Sequence, residues 1–547
     1  GCTGVHTYSV IVSGNGLQPT RPMQQKLSIK LLPSQAANEL CIKQAIFDVL
    51  PVNQSALSGY CIHKKSIDAR GKKVFINISL TAYINEPPQR LSHFKPQFKI
   101  PGPDAKKVII IGAGPAGIFA ALKLLEAGIK PIIIERGKDV RNRRRDLAKL
   151  NKEGILNTES NYCFGEGGAG TYSDGKLYTR SSKRGDIQRI LQLFVHFGAP
   201  ENILFEAHPH IGTNKLPGII TALRECIIIN GGEILFEKKL IDFNTSGNTI
   251  ISAGTSDGGL ILADAFILAT GHSARDIFLL LQQKKWLIEA KPFALGVRIE
   301  HPQILIDSIQ YHCAVRDKYL PPASYSMVQQ VNNNGVFSFC MCPGGIIAPA
   351  STAQNELVVN GWSPSKRNNP FANSGMVAEV NDNTLMQDKY YKDAVNNNDP
   401  LRFMHFQQML EQECFKAGSG KFVAPAQRMQ DFVQKKISPS LPQNSYLPGV
   451  NSSAIHEILP PVLSTALRGA FQLFGKKMKG YLTNEAILVA TESRTSSPVR
   501  IPRNMENLQH PQINNLYPCG EGAGYAGGIV SAAMDGERVA MAIAACI

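Results

Sequence analysis

Residues 106–137 read KKVIIIGAGPAGIFAALKLLEAGIKPIIIERG, and this stretch decides the fold. The apolar run at 108–111 has the length and β-branched content of a buried parallel strand, and it stops at Gly112. A helix is expected at once. Pro115 suits a first turn, where its missing N–H costs nothing, and Ile118, Leu122 and Leu125 recur at helical spacing before Gly128 ends the pattern. A second apolar run, 132–134, ends in Glu135, about twenty residues past the first glycine, where a ribose-binding acid belongs. Gly112 permits the tight turn, Gly114 lets the backbone approach a pyrophosphate, and Gly117 lets helix and strand close up. With Pro115, Ala116 and Arg136 beside them, these residues predict a βαβ dinucleotide site whose phosphates lie at a helix N-terminus. The motif does not separate NAD from FAD, and the acid disfavours a 2′-phosphate, hence NADP.

The rest of the chain is read outward from that unit. Its 547 residues suffice for two or three domains, and 43% hydrophobic with 18% charged residues is the balance of a globular protein. No apolar run approaches a bilayer-spanning length, and GCTGVHTYSV lacks the regions of a signal peptide. Eleven cysteines without a CxxC pair argue against a disulfide framework, so a reducing cytoplasm is expected and no metal site. The net charge of +15 is concentrated. Residues 1–100 hold 12 Lys and Arg against 4 Asp and Glu, and residues 136–152, RGKDVRNRRRDLAKLNK, hold 8 against 2. Such segments bind nucleic acid or anionic ligands, but they are more often solvated faces, and no nucleic-acid motif accompanies them.

Four units are expected. Residues 1–98 form a small α+β module, with a strand at 25–32, a helix at 34–50 bearing Leu40, Ile42, Ala45 and Ile46, and a strand pair turning near Gly71. A proline-rich linker, NEPPQRLSHFKPQFKIPGPDA, leads to a nucleotide-binding domain over 99–285. There FGEGGAGTYSDGKLYTR (164–180) reads as an extended glycine loop rather than a second fingerprint, because neither strand nor helix flanks it. Its Gly167, Gly168, Ala169 and Gly170 can face backbone N–H groups towards a ligand. Residues 231–271 read as a β-meander that returns to the nucleotide sheet at ATG, ending at Gly271. Residues 286–490, with asparagine-rich loops such as NNNDP, are expected to form an inserted α+β substrate domain, and 491–547 return to the nucleotide domain. In that last segment a strand reaches Gly520 and Glu521, and a small-residue helix opens at Gly527, Gly528 and Ile529.

A nucleotide βαβ unit, an ATG strand end and a late Gly-acid turn together resemble the FAD-binding Rossmann flavoproteins of the glutathione reductase and hydroxybenzoate hydroxylase types. FGEGGAGTYSDGKL, KPFALGVRIEHPQ, CMCPGG, NGWSPSKRNNPFANSG, TSSPVRIPR and the SIDAR segment at 66–70 are similar to one family of uncharacterised FAD-dependent (NAD(FAD)-utilizing) dehydrogenases. The resemblance implies FAD as cofactor, its ADP half on the first motif and its ribityl chain at Gly520 and Glu521, where Glu replaces the usual Asp.

The expected chemistry is hydride transfer between flavin and a small-molecule substrate. Flavin reduction places charge that a helix N-terminus or a cation stabilises, which singles out the turn near Gly527 and Lys176. His272, just after ATG, is a candidate acid or base. Cys340 and Cys342 lie two apart, so on a strand both would face one side; Cys342 is the candidate for redox or covalent chemistry. Arg367, Arg494 and Arg500 are candidates to clamp a substrate anion. NAD(P)H has no second fingerprint and is expected only as a transient visitor. The alternatives are an RNA-modifying flavoprotein and a flavin-binding protein without turnover.

Overall fold

In a computed structural model, which describes residues 22–50, 52–89, 94–179, 185–387 and 398–547, the run 108–111 lies in strand Lys107–Ile111 at the centre of a five-stranded parallel sheet. The start of the chain and parts of the linker (90–93), the glycine loop (180) and the NNNDP loop (396–397) lie outside the described residues. Strand order across the sheet is Leu516–Pro518, Ala265–Leu268, Lys107–Ile111, Lys130–Ile134 and Glu233–Leu235. The ATG strand thus sits beside the first nucleotide strand, and the C-terminal strand lies on the ATG strand's other side. Side chains alternate between the faces. Val108, Ile110 and Ile133 join one core with helices Pro115–Glu126, Ile187–His196, Leu216–Ile229 and Ile529–Ala544. Ile109, Ile132 and Ile134 join another with the antiparallel meander Leu240–Ser246, Thr249–Thr255, Leu260–Leu262 and helix Arg275–Gln283.

The C-terminal helix lies directly against the Pro115 helix because Gly536 carries no side chain. A Cβ there would stand 2.1 Å from the Ala116 carbonyl oxygen. One expectation changes on this sheet: Glu233–Leu235 does not belong to the meander but pairs in parallel with Lys130–Ile134. Helix Leu216–Ile229 and the turn at Gly231 (φ +91°) deliver it as a βαβ crossover, which a three-residue apolar run cannot announce.

Between the two stretches of the nucleotide sheet the chain builds a seven-stranded sheet, antiparallel except for its last pair. Strands Phe293–Pro302 and Phe371–Val380 lie at its middle. The N-terminal region forms a three-stranded antiparallel sheet, with Phe75–Ile84 between Met23–Leu31 and Leu57–Asp68. The helix expected over 34–50 divides into Pro33–Ala36 and Glu39–Val49, because Asn38 leaves the helical path and its side chain accepts the Leu40 N–H at 2.9 Å. Leu40, placed on the apolar stripe by sequence, is 72% exposed, whereas Ile42, Ala45 and Ile46 are buried. No helix among the described residues is long and apolar enough to cross a membrane.

Candidate active site

A cavity of about 380 Å³ gathers the separated motifs. It lies against the carboxyl ends of the parallel strands, where open α/β sheets hold their ligands. Its first wall is the predicted turn: Gly112, Gly114, Pro115 and Ala116, with Glu135 and Arg136 from the end of the next strand. Gly112 (φ +110°) has no room for a Cβ, which would lie 2.3 Å from the Ala269 carbonyl oxygen. Gly117 is outside the cavity and serves packing, since its Cβ would meet the Gly112 carbonyl oxygen at 2.0 Å. Gly114 differs: a Cβ there would approach only Gly168 Cα, at 3.8 Å, so the space before the helix N-terminus is kept open.

Glu135 binds main chain. Its Oε2 accepts the Ala113 N–H at 2.9 Å, and its Oε1 accepts those of Gly137 and Gly165, each at 2.9 Å. One buried carboxylate thereby ties the first glycine turn to the second glycine loop. Arg136 is committed to Glu159 and Asp276, with its guanidinium 4.1 Å from the centre of the Phe164 ring.

The second wall is the loop holding Gly168, Ala169 and Gly170. Gly167 (φ +80°) stands behind it, where a Cβ would strike Thr171 Oγ1 at 2.0 Å. Neither strand nor helix flanks the loop as in a fingerprint, so its reading as an irregular glycine loop holds. What fixes it is Arg143. This fully buried guanidinium donates to the carbonyls of Asn161, Tyr162, Glu166 and Gly168 at 2.8–2.9 Å and to Gly165 at 3.3 Å. Burial pulls its pKa down. The sequence reading counted Arg143 among solvated basic residues, yet Val140, Arg143, Leu147 and Leu150 share one buried stripe of helix Val140–Glu153, a spacing that was available as a signal. Arg144 and Arg145 lie on the exposed face of the same helix, with Arg141, Lys149 and Lys152.

Gly271 and His272 form the third wall, and Gly520, Glu521, Gly527, Gly528 and Ile529 the fourth. Sequence reasoning missed the clamp behind the last group. Asp535 of the C-terminal helix accepts the Gly520 N–H at 2.8 Å and a two-pronged pair from Arg503 at 2.6 and 2.9 Å. His272 Nε2 lies 3.8 Å from Glu521 Oε1. Burial, reinforced by the cations Arg494 and Lys291, lowers the His272 pKa to about 4, and burial pushes the Glu521 carboxyl up to about 7 against the pull of Lys291. At neutral pH the imidazole is therefore uncharged, and the carboxyl is poised to gain or lose a proton.

Lys176 lines the cavity and donates to the Met341 carbonyl. The cysteine expectation is corrected. Phe339 pairs with Gly375 but Cys342 with Asn373, so the strand bulges between them, and Cys340 takes a left-handed φ of 47°. The two thiols consequently do not share a face in the way strand alternation requires. Cys340 reaches the cavity wall, while Cys342 is fully buried behind it, its Sγ 3.5 Å from Arg298 Nη2. Cys342 Sγ donates to the Cys340 carbonyl at 3.2 Å. The Cys342 side chain, with Lys176 and Arg298 nearby, pulls the Cys340 thiol down, while Cys340 and burial push Cys342 up.

The proposed anion clamps are spoken for by internal partners. Arg367 makes a two-pronged pair with Asp174 at 2.5 and 3.1 Å and stays outside the cavity. Arg494 reaches the wall, but its guanidinium is held by Glu411 at 2.9 and 3.0 Å and by Thr352 at 2.7 Å. Arg500 is exposed and lies 5.2 Å from the centre of the Tyr525 ring, outside the cavity. A second cavity of about 650 Å³ adjoins the first through shared walls at Tyr178, Phe339, Gly527 and Gly528.

Residues 106–286 match the family profile of pyridine nucleotide-disulphide oxidoreductases, and 292–495 that of the C-terminal domain of FAD-dependent proteins. Residues 23–83 match a domain of unknown function. An uncharacterized protein of Clostridium beijerinckii is 38% identical over 517 residues, covering 91% of this chain and 95% of that protein. The chain belongs to the FAD-dependent oxidoreductases. Its cofactor is FAD. The cradle fits the group: this flavoprotein keeps Gly114 and Gly527 open, and Thr270 Oγ1 is buried at the cavity wall without a hydrogen-bond partner among the described residues. Among solved structures, the flavoprotein is similar at long range to tetracycline destructase Tet(51), with 13% identity, TM-score 0.34 and coverage of 81% and 82% of the two chains. For 2,6-dihydroxypyridine-3-hydroxylase from Arthrobacter nicotinovorans the values are 10%, 0.34, and 82% and 86%.

Proposed function

We propose that this flavoprotein transfers a hydride between FAD and a small organic substrate that occupies the second cavity. Bound FAD supplies the two-electron chemistry. The observation that supports the reading is the junction of the two cavities at Tyr178, Phe339, Gly527 and Gly528, at the opening of the C-terminal helix. In this reading Gly112, Gly114 and the Pro115 helix N-terminus hold the pyrophosphate, Glu135 fixes both glycine loops and offers its remaining lone pair to the adenosine ribose, and Gly520 with Glu521 faces the ribityl chain. The dipole of helix Ile529–Ala544 and the Lys176 ammonium favour negative charge at the flavin end of the site. Glu521, its carboxyl pushed up to about 7, gains or loses a proton opposite the neutral His272, and Cys340, in place of Cys342, reaches the cavity.

One βαβ fingerprint is filled by FAD, so nicotinamide enters the substrate cavity transiently if it enters at all. Acid release of the bound cofactor and its chromatography test the first step, where NAD in place of flavin would overturn the reading. Anaerobic mixing with NADH and NADPH tests the second, with slow, weakly saturable bleaching expected. Oxygen uptake coupled to a hydroxylated product would move the reaction from dehydrogenation to hydroxylation.

A further inference from the structure

The N-terminal sheet reaches the active site through a strap. Its strand Leu57–Asp68 is an edge strand, and the hydrogen-bonding groups of Lys65 turned away from Phe75–Ile84 are taken by another part of the chain. Lys65 N–H donates to the Phe205 carbonyl at 2.8 Å, and the Ala207 N–H donates to the Lys65 carbonyl at 2.9 Å, a parallel bridge centred on Glu206. The Lys65 ammonium stands 4.0 Å from the Glu206 carboxylate. Immediately beyond, the same segment pairs with the SDGKL loop. Leu177 N–H donates to the Pro209 carbonyl at 2.9 Å, Ile211 N–H to Gly175 at 3.1 Å, and Lys176 bridges His210. Residues 205–211 are thus hydrogen-bonded on one side to the N-terminal sheet and on the other to the loop that carries Lys176 and Tyr178. At the strap's centre the His208 ring packs edge-on against Tyr178, with centroids 4.9 Å apart and planes at 65°.

Tyr178 is 51% exposed and forms part of the wall common to both cavities. Its ring therefore borders both cavities at once. A half-exposed tyrosine holds no fixed place by packing alone, so its placement comes from what supports it.

We propose that the N-terminal sheet is a positioning device for Tyr178: through the 205–211 strap it sets access from the second cavity to the flavin cavity, making Tyr178 a specificity-determining residue and the 23–83 domain part of the substrate gate. The inference rests on the flavin site proposed above. Among the described residues the sheet contributes none to either cavity wall, and it acts on access rather than on cofactor affinity.

Lys65→Pro tests it in the full chain, because it removes the N–H that reaches Phe205 while an edge position tolerates the ring. Ala207→Pro removes the reciprocal bond from the strap side, and Lys65→Ala, which keeps both backbone bonds, serves as control. Two readouts are taken: iodide quenching of bound-flavin fluorescence, and amide hydrogen exchange over 174–178 and 205–211 in cofactor-free protein. Either proline variant should raise the quenching constant about two- to tenfold, the population shift that one lost hydrogen bond supports, with FAD affinity unchanged. Exchange should rise across both segments. Tyr178→Ala should raise quenching alone, and adding Lys65→Pro to it should raise quenching no further. Unchanged quenching in both proline variants, or additive effects in the double variant, would overturn the proposal. Absence of flavin from the purified protein would instead count against the flavin site, and faster exchange confined to 205–211 would break the link to Tyr178.

Discussion

The wall contributed by the nucleotide sheet and the wall contributed by the inserted sheet are built by different means. The first is main chain: glycines where a Cβ cannot fit, a helix N-terminus, and buried Glu135 and Arg143 that bind backbone N–H and C=O groups. The second is side chain on side chain. Arg298 bonds Glu492 and Asn373, and Arg494 shares Glu411 with Arg275. A main-chain wall is specified by local residues and tolerates little change at them. A side-chain wall depends on pairs assembled from distant parts of the chain, and its groups are available to a ligand only when no internal partner claims them.

The largest effect that sharpens this contrast is expected at Arg143. Removing the guanidinium takes a donor from each of five carbonyls, three of which keep a second one, so Arg143→Met should destabilise the protein by about 3 kcal/mol and abolish FAD retention. Arg144→Ala and Arg145→Ala, one and two residues on and exposed, should leave the melting temperature unchanged. Chemical denaturation and flavin content measure both, and a near-silent Arg143→Met would show that the loop is held by something else.

Next comes the buried network. Arg275 and Arg494 outweigh the cost of burial and hold the Glu411 carboxyl at about 2. Since that pKa lies below the ordinary carboxylate value, the stability it brings is present above about pH 4.3 and is lost as pH falls through about 2. Glu411→Gln leaves two buried guanidinium groups short of a counter-charge and should cost about 3–5 kcal/mol at neutral pH. The gap to wild type should narrow as pH is lowered from about 4 towards 2. A gap that stays constant with pH would mean the carboxylate charge is not what the two arginines need.

How much of the site was legible follows from the same contrast. Gly112, Gly114, Pro115 and Glu135 were readable because their roles rest on conformational freedom, a missing N–H and a fixed spacing, all local properties. The ATG strand and the C-terminal turn were readable as strand ends but not as neighbours; adjacency comes from sheet order. Arg367 and Arg494 were misjudged as ligand clamps because their partners lie 193 and 83 positions away, and no local pattern shows that Asp174 and Glu411 have already paired with them. Cys340 and Cys342 were placed on one face because alternation assumes a regular strand, and a bulge interrupts it. Arg143 was hidden by its charged neighbours although its stripe was apolar.

A smaller effect separates ligand-facing from structural glycines. Gly114→Ala meets no atom closer than 3.8 Å, so the variant should fold with nearly unchanged stability while FAD affinity falls about tenfold or more, the methyl standing where the pyrophosphate approaches. Gly112→Ala should fail to fold, because its φ of +110° and a carbonyl oxygen 2.3 Å from the new Cβ both oppose it. Calorimetry with FAD titration decides between them. Equal loss of stability in the two variants would erase the distinction.

The smallest expected effect lies on the inserted sheet, and it tests whether a side chain there is free for chemistry. Cys340 faces the cavity with its thiol pulled down, whereas Cys342 is fully buried and its thiol is pushed up. Iodoacetamide should therefore alkylate Cys340 in preference to Cys342 in cofactor-free native protein, with a rate that falls off at a lower pH than that of an ordinary thiol. Cys342→Ala removes the thiol that donates to Cys340. The Cys340 pKa should then rise, and the pH at which alkylation falls off should move upward without loss of stability beyond that of a small buried cavity. FAD should protect Cys340, since both would occupy the same wall. Mass spectrometry of the labelled peptide reads each point. Labelling at Cys342, or a pH profile that Cys342→Ala does not move, would mean that the two thiols are packing groups and that the bulge brings a backbone, rather than a reactive sulfur, to the flavin.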